Sequence, residues 1–280
     1  MRLTSWNLLH GQGAENFKEI AHALSVGNSD FVIGVQEVDA FQDRSDQIFQ
    51  VAELASELGA QNFAFARCVI GTPGFKWRRL RKDEPVLITN TSKITDDKPA
   101  SYGIGIVTNI PVINWETLAL GKSPIGLPLA FPADTNSKKI RFIYVKDEPR
   151  YAIAAQLENG WTVVNTHLSF VPIVNLIQLL RVKRWLSKMP GKHILLGDLN
   201  LPFNIPVKFS KWKSLNQVAS YPTWQPKIQF DYILSQGIEK NSVSPIFIKS
   251  EISDHLPVTI EINCSSLSKS AGRTVSFDPT

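Results

Sequence analysis

The chain has 280 residues, enough for one large domain or two small ones, and its 43% hydrophobic content supplies a substantial core. No apolar run approaches the ~18 residues of a membrane span, and the opening residues lack the long apolar centre of a signal peptide. Two cysteines, Cys68 and Cys264, are too few for a disulfide scaffold and allow one bridge at most, so a cytoplasmic protein is the default expectation.

The net charge of +5 (30 basic less 25 acidic residues) is local in origin. Lys76-Trp77-Arg78-Arg79-Leu80-Arg81-Lys82 carries five positive charges, which equals the whole excess. Such a patch suits an anionic, phosphate-bearing partner, or it is a solvated loop.

Leu3 to Leu9 reads as a strand that stops at His10-Gly11. A helix follows, with Phe17, Ile20, Ala21 and Leu24 at i, i+3, i+4, i+7 spacing. Phe31-Val32-Ile33-Gly34-Val35 is a buried strand running into Gln36-Glu37. A second helix is predicted over Ser45 to Leu58, with Gly59 as its C-terminal glycine. From about 72 to 101 the chain is basic, proline-containing and without sustained periodicity, which predicts a long surface excursion.

Strands resume at Tyr102 to Val107, and the prolines and glycines between Pro111 and Pro132 predict another long connection. Phe142 to Val145, Tyr151 to Ala155 and Trp161 to His167 are strands. Ile173 to Met189 is the strongest helix, and it leads into His193-Ile194-Leu195-Leu196-Gly197-Asp198-Leu199-Asn200. Further strands cover Phe230 to Leu234 and Leu256 to Ile262. One domain is expected over residues 1–263, with the basic excursion as an insertion and a flexible Ser-rich tail at 264–280. The mixture of helices with strands that neighbour strands favours a layered α/β sandwich.

Polar residues gather at the strand ends: Asn7, Glu37, Tyr102, Arg150, His167, Asp198, Asn200, Asp231, Asp254 and His255. Singly, each is explained by a cap, a turn or a satisfied core histidine. Ten at once exceed what turn chemistry predicts. Glu37, with Asn7 beside it and Asp254 as a third candidate, suits a hard cation such as Mg²⁺, or Mn²⁺. Zinc is disfavoured, because neither the cysteines nor the histidines have ligand spacing. Asn200 and His167 can hold phosphate oxygens, and Arg150 can add charge. Asp198 can orient or deprotonate a water, and Asp231 can fix the tautomer of His255.

Trp6-Asn7-Leu8-Leu9, Gln36-Glu37-Val38, Asn165-Thr166-His167-Leu168, Gly197-Asp198-Leu199-Asn200, Asp231-Tyr232-Ile233 and Ser253-Asp254-His255-Leu256-Pro257 occur in that order. The chain therefore resembles the endonuclease/exonuclease/phosphatase superfamily, which includes nucleases, sphingomyelinases and inositol-polyphosphate phosphatases. The resemblance implies a four-layer α/β/β/α sandwich of two mixed sheets flanked by helices. It also implies a divalent-metal-dependent phosphoesterase. Glu37, Asn7 and Asp254 would belong to the metal site, while Asp198 activates water and Asp231 orients His255. Asn200, His167, Arg150 and Tyr102 would lie on the phosphate. Either Asp198 or His255 is the general base.

Substrate is not fixed by these residues. A nuclease or other phosphodiesterase leads, with a phosphatase, a phospholipid or sphingomyelin phosphodiesterase, and a non-catalytic binding protein as alternatives. The basic 76–82 segment fits a nucleic-acid backbone, and less well an anionic membrane surface. No protein partner is implied.

Overall fold

The computed structural model describes residues 1–11, 13–24, 29–92, 99–132, 140–238 and 242–263. The first half runs β1 (Arg2–Asn7), α1 (Gly13–Leu24), β2 (Phe31–Ala40), a 3-10 turn (Asp43–Ser45), α2 (Gln50–Glu57), β3 (Asn62–Gly71), β4 (Trp77–Arg78), β5 (Leu87–Thr89) and β6 (Ser101–Thr108). The second half runs β7 (Val112–Gly121), β8 (Leu127–Pro132), β9 (Ile140–Val145), β10 (Arg150–Leu157), β11 (Trp161–His167), α3 (Val174–Leu186) and β12 (Lys192–Asp198). It closes with α4 (Ile205–Ser210), β13 (Lys213–Ser214), β14 (Asp231–Gln236), β15 (Val243–Phe247) and β16 (Val258–Ile262).

Two mixed sheets result. One is ordered β15-β16-β1-β2-β6-β3-β4 with β5 on β3, and the other β13-β14-β12-β11-β10-β7. Alternation along each strand divides the apolar side chains between two faces. Leu3, Val32, Ala64 and Ile106 of the first sheet meet Ile153, Val163, Ile194, Leu196 and Ile233 of the second. Ile33, Val35 and Phe65 turn outward onto Phe17, Ile20, Val51 and Leu54 from α1 and α2. Ala154, Val164 and Leu195 turn outward onto Leu179, Val182 and Leu186 of α3. The expected four-layer α/β/β/α sandwich is the one observed.

A polar pin crosses the central layer. Gln36 donates to Asn165 Oδ1 at 2.6 Å, and the Asn165 amide donates to the carbonyls of Val35 at 3.0 Å and Gly105 at 2.7 Å. Gly34 lets this crossing close, since a Cβ there would lie 1.9 Å from Leu196 Cδ1 and 2.8 Å from Asn165 Cγ. Gly34→Ala should therefore lower the urea midpoint by the equivalent of about 1–3 kcal/mol. An unchanged midpoint would show that the sheets part without cost.

Several boundaries differ from the sequence expectation. The strand expected to reach Leu9 ends at Asn7, because Asn7 Oδ1 takes the Leu9 N–H at 3.1 Å and Leu9 and His10 turn to positive φ. The helix expected from Ser45 starts at Gln50. Asp46 and Gln47 have positive φ, and Phe49 bridges back to Ala40. The 72–101 excursion is not wholly outside the sheet, since β4 and β5 both pair with β3; two- and three-residue strands are too short to show a period. The connection expected between Pro111 and Pro132 holds ten-residue β7, an edge strand whose half-exposed faces give no clean alternation. The expected tail at 264–280, including Cys264, lies outside the described residues. Cys68 is buried, with its thiol pushed up to about 12 by that burial.

Candidate active site

Strand direction brings the polar ends together. β1 runs parallel to β2, and β11 parallel to β12, so Asn7, Glu37, His167 and Asp198 lie at or near C-terminal strand ends. β14 and β16 run antiparallel to their neighbours and begin at that same edge, bringing in Asp231 and, just before β16, Asp254-His255. Asp198 stands directly between His167 on one neighbouring strand and Asp231 on the other.

Two backbone features aim the carboxylates. The register between β2 and β6 slips between Val35 and Val38, and Glu37 within that bulge has φ 54°. A non-glycine residue in this region is strained by about 1–3 kcal/mol, which marks Glu37 as held for a purpose other than sheet pairing. Gly197 has φ +147°, and a Cβ there would lie 1.9 Å from the Thr166 carbonyl oxygen. Only glycine lets β12 pass so close to β11 just before Asp198.

The side chains form one connected network. Asn7 Nδ2 donates to Glu37 Oε1 at 3.0 Å and to Asp198 Oδ2 at 3.1 Å. Asp198 Oδ1 accepts the Asn200 N–H at 2.9 Å, while its Oδ2 lies 3.6 Å from His167 Nε2 and 3.8 Å from His255 Nε2. Asn200 Nδ2 contacts His167 Nε2 at 3.1 Å and the Leu168 carbonyl at 3.0 Å. On the far side of the imidazole, His255 Nδ1 meets Asp231 Oδ2 at 2.7 Å. Asp198, Asp231 and His255 are all buried, with one ligand atom from each lying within 4.8 Å of the others, close enough to share an ion.

Burial sets the electrostatics. It raises the Glu37 carboxyl, with Asp254 and Asp198 adding to the rise and the Asn7 hydrogen bond and His255 opposing it. Asp198 is pushed up to about 6 by burial and by Asp231, against His255 and its own hydrogen bonds. Burial alone would lower His255. The charge and hydrogen bond of Asp231, helped by Asp198 and Asp254, outweigh it and push His255 up to about 10. His167 goes the other way, held well below its ordinary value by burial, Arg150 and His255. The 3.6 Å approach of neutral His167 to Asp198 is thus not an ion pair.

A cation fits this donor set. Glu37, Asp198 and Asp254 are oxygen donors; the charges of Asp254 and Asp198 add to the rise of Glu37, which has the Asn7 amide as its direct partner among the described residues. One buried carboxylate, Asp198, beside two half-buried ones, Glu37 and Asp254, suits a hard divalent ion.

Tyr102 and Arg150 fall in an adjoining cluster. The Arg150 guanidinium lies 3.3 Å from Asp147 and 3.3 Å from Glu148, and Tyr102 is hydrogen-bonded to Glu148. Burial pushes Glu148 up to about 7, against Arg150 and with Glu37 adding to the rise. Arg150 reaches the site through its field on His167.

Sequence reasoning passed over Asp147 and Glu148, although their charges directly before Arg150 and after a strand were a signal. It also passed over Arg44, which pairs with Asp39 at 2.8 Å and lies 5.8 Å from the centre of the Tyr102 ring.

Ser220 and Tyr221 gave no motif and still hold the dyad. Ser220 Oγ donates to Asp231 Oδ2 at 2.5 Å, and the Tyr221 ring packs 4.9 Å from the His255 ring. Ser220→Ala should reduce kcat about tenfold with little change in KM, and Ser220→Thr should restore it. A matching loss in the threonine variant would point to packing instead.

A family model described as endonuclease/exonuclease/phosphatase matches residues 4–255. The chain belongs to the endonuclease/exonuclease/phosphatase family. Solved structures agree on the fold. The endonuclease/exonuclease/phosphatase from Beutenbergia cavernae DSM 12333 matches with TM-score 0.58 and 16% identity over 93% of this chain and 70% of that one. Mannosyl-6-phosphatase Bt3783 of Bacteroides thetaiotaomicron VPI-5482 matches with TM-score 0.54 and 14% identity, over 94% and 99%. TDP2 of D. rerio, complexed with a single-strand DNA product, matches with TM-score 0.52 and 14% identity, over 93% and 97%. No curated protein matches the chain. The family's phosphoesterase fold thus carries a buried Asp/His cluster in this chain, at the end where the sheets present their polar residues.

Proposed function

We propose that the protein is a divalent-metal-dependent phosphoester hydrolase acting on phosphodiesters. The observation that carries this is the meeting of the Glu37 carboxylate, raised by burial and by Asp254 and Asp198, with the His255–Asp231 pair at one sheet edge. Glu37, Asn7 and Asp254 would hold Mg²⁺ or Mn²⁺, which supplies positive charge to a phosphate oxygen.

The chain's own residues do the rest. Asp198, with a proton affinity near neutrality, takes the proton from the attacking water. His255 stays protonated and donates from Nε2 to a non-bridging phosphate oxygen, while Asp231 holds Nδ1. Neutral His167 and the Asn200 amide add hydrogen bonds to the same phosphate. Tyr102 and Arg150 support that arrangement from the Glu148 cluster.

A charged His255 also favours a proton-donor role over ligation of an ion by the Asp198–Asp231–His255 group, because an imidazolium has no lone pair to offer. The basic segment supports a polynucleotide substrate less than its sequence suggests. Arg78 meets Glu84 at 2.6 Å and Arg81 meets Glu84 at 3.3 Å, so residues 76–84 carry a net +3 (5 basic less Asp83 and Glu84). Lys76, Arg79 and Lys82 remain exposed for such a contact.

The test is purified protein with Mg²⁺ or Mn²⁺ on bis-p-nitrophenyl phosphate, p-nitrophenyl phosphate and plasmid DNA, with Glu37→Gln and His255→Ala as controls. Diester cleavage lost in both variants is expected. Cleavage of the monoester alone favours a phosphatase. Inertness on every phosphoester supports a binding protein instead.

A further inference from the structure

β8 and β9 form a two-stranded sheet of their own, each pairing with the other and with no other described strand. Their sequences, Leu-Pro-Leu-Ala-Phe-Pro and Ile-Arg-Phe-Ile-Tyr-Val, carry one charge, on Arg141. Phe142 is 72% exposed and Tyr144 60% exposed on one face, Ile143 is exposed on the other, and Ile125 is exposed at the root. An isolated hairpin is marginal in water, and apolar exposure on this scale marks a contact surface.

Three features say what covers it. First, apolar side chains are exposed on both faces, Phe142 and Tyr144 on one and Ile143 on the other. A protein docking flat covers one face, whereas the boundary between lipid headgroups and acyl chains surrounds both and accommodates aromatic rings. Second, the sequence from Lys122 to Lys146 holds Lys122, Lys138, Lys139, Arg141 and Lys146 against Asp134 alone. That is a local net +4 (5 − 1) ahead of the buried Asp147 and Glu148, the sign that attracts anionic lipid. Third, the hairpin is rooted beside the candidate active site. Asp147, just after β9, accepts from the Ser123 N–H at 2.6 Å and from Ser169 Oγ at 2.9 Å, and so ties the hairpin's base to the loop after His167.

Helix α3 extends the surface. Ile173 just before it, Ile177 and Leu180 form an exposed stripe at i, i+4, i+7 spacing. Gln178 and Arg181 bond the carbonyls of Gly121, Leu120 and Ala119, where β7 feeds the hairpin. The unpaired hairpin edges limit its depth to the hydrated interface, since hydrocarbon would leave those groups unsatisfied.

We propose that the β8–β9 hairpin and the α3 stripe seat this protein on an anionic lipid surface. Seating does not require hydrolysis, so Glu37→Gln protein should bind such a surface as wild type does, and the two readings fail separately.

The test is cosedimentation with phosphatidylcholine vesicles, with and without phosphatidylserine. Wild type should partition onto the phosphatidylserine vesicles. Phe142→Ser should weaken that partition about tenfold with unchanged thermal unfolding, and Ile177→Ser should weaken it less. No partition onto either vesicle, or partition equal in wild type and Phe142→Ser, would overturn the proposal. So would a concentration-dependent dimer that Phe142→Ser abolishes in a protein that ignores vesicles, because the occupant is then a second copy of the chain.

Discussion

Glu37→Gln should abolish hydrolysis while making the metal-free protein more stable. The carboxylate lies in a bulge with left-handed backbone, raised by burial and by Asp254 and Asp198, with the Asn7 amide to balance it. A glutamine keeps the shape and removes the charge. Stability without metal should therefore rise, because the raised carboxyl is ionised in the folded chain at a cost the glutamine does not carry. The loss in kcat should be about 10³-fold or more, as for other deletions of transition-state charge stabilisation.

Asp198 and Glu148, like Glu37, make stability fall with rising pH in the absence of a cation. Asp198, at about 6, and Glu148, at about 7, keep protons in the folded chain that the unfolded chain has released from about 3.8 and 4.5 upward. Their stabilising protons are lost as pH climbs from about 4 to 7. His167 opposes this below 6.5, because its depressed value means that acid favours the unfolded chain. Adding Mg²⁺ or Mn²⁺ should offset the part of the decline that comes from Glu37. Urea melts of wild type and Glu37→Gln across this range, in chelator and in Mg²⁺, check both statements. Destabilisation by glutamine in chelator would show that the carboxylate is satisfied without a cation.

The second large effect belongs to Asp231→Asn. In wild type, burial drives His255 toward neutrality and is overruled chiefly by Asp231, which leaves the imidazole charged up to about pH 10. Without that carboxylate the burial effect remains and the proton is lost at lower pH. Activity at pH 8 should fall by about 10²-fold or more, and the alkaline limb of the kcat profile should move from near 10 toward the acid side. Stability follows the same proton: the wild-type contribution is full below 6.5 and lost as pH rises through about 10, and the variant lacks it. A pH–rate profile whose alkaline limb stays in place would remove His255 as the charged donor.

Much of the site was legible because its residues sit where period-two strands stop. Asp198 and Asn200 follow a short apolar run bounded by Pro190-Gly191, and Glu37 follows another, so the chain itself reports where the sheets expose polar groups. Position across strands was not readable from the period of the strands; it came through the family resemblance, and the pairings of β1 with β2, β11 with β12 and β12 with β14 supply the physical reason.

What escaped was decided by contacts distant in sequence. Asn165 and Gln36 look like site residues beside His167 and Glu37, yet they pin the sheets together. Ser220 lies in an unremarkable polar stretch and becomes relevant when the chain returns it to Asp231. Strand β3 was invisible because Ala64-Phe65-Ala66 is buried from both sides and shows no polar alternation. The charge of the 76–82 patch was overstated because Glu84 lies outside the run and folds back on Arg78.

Manganese titration followed by electron paramagnetic resonance is the most direct check on the cation site. Wild type should remove one Mn²⁺ per chain from solution, while Glu37→Gln, equally folded, should leave the free-ion signal undiminished. Equal uptake by both proteins, or none by either, would mean that Glu37, Asn7 and Asp254 do not form the site on which the proposed chemistry depends.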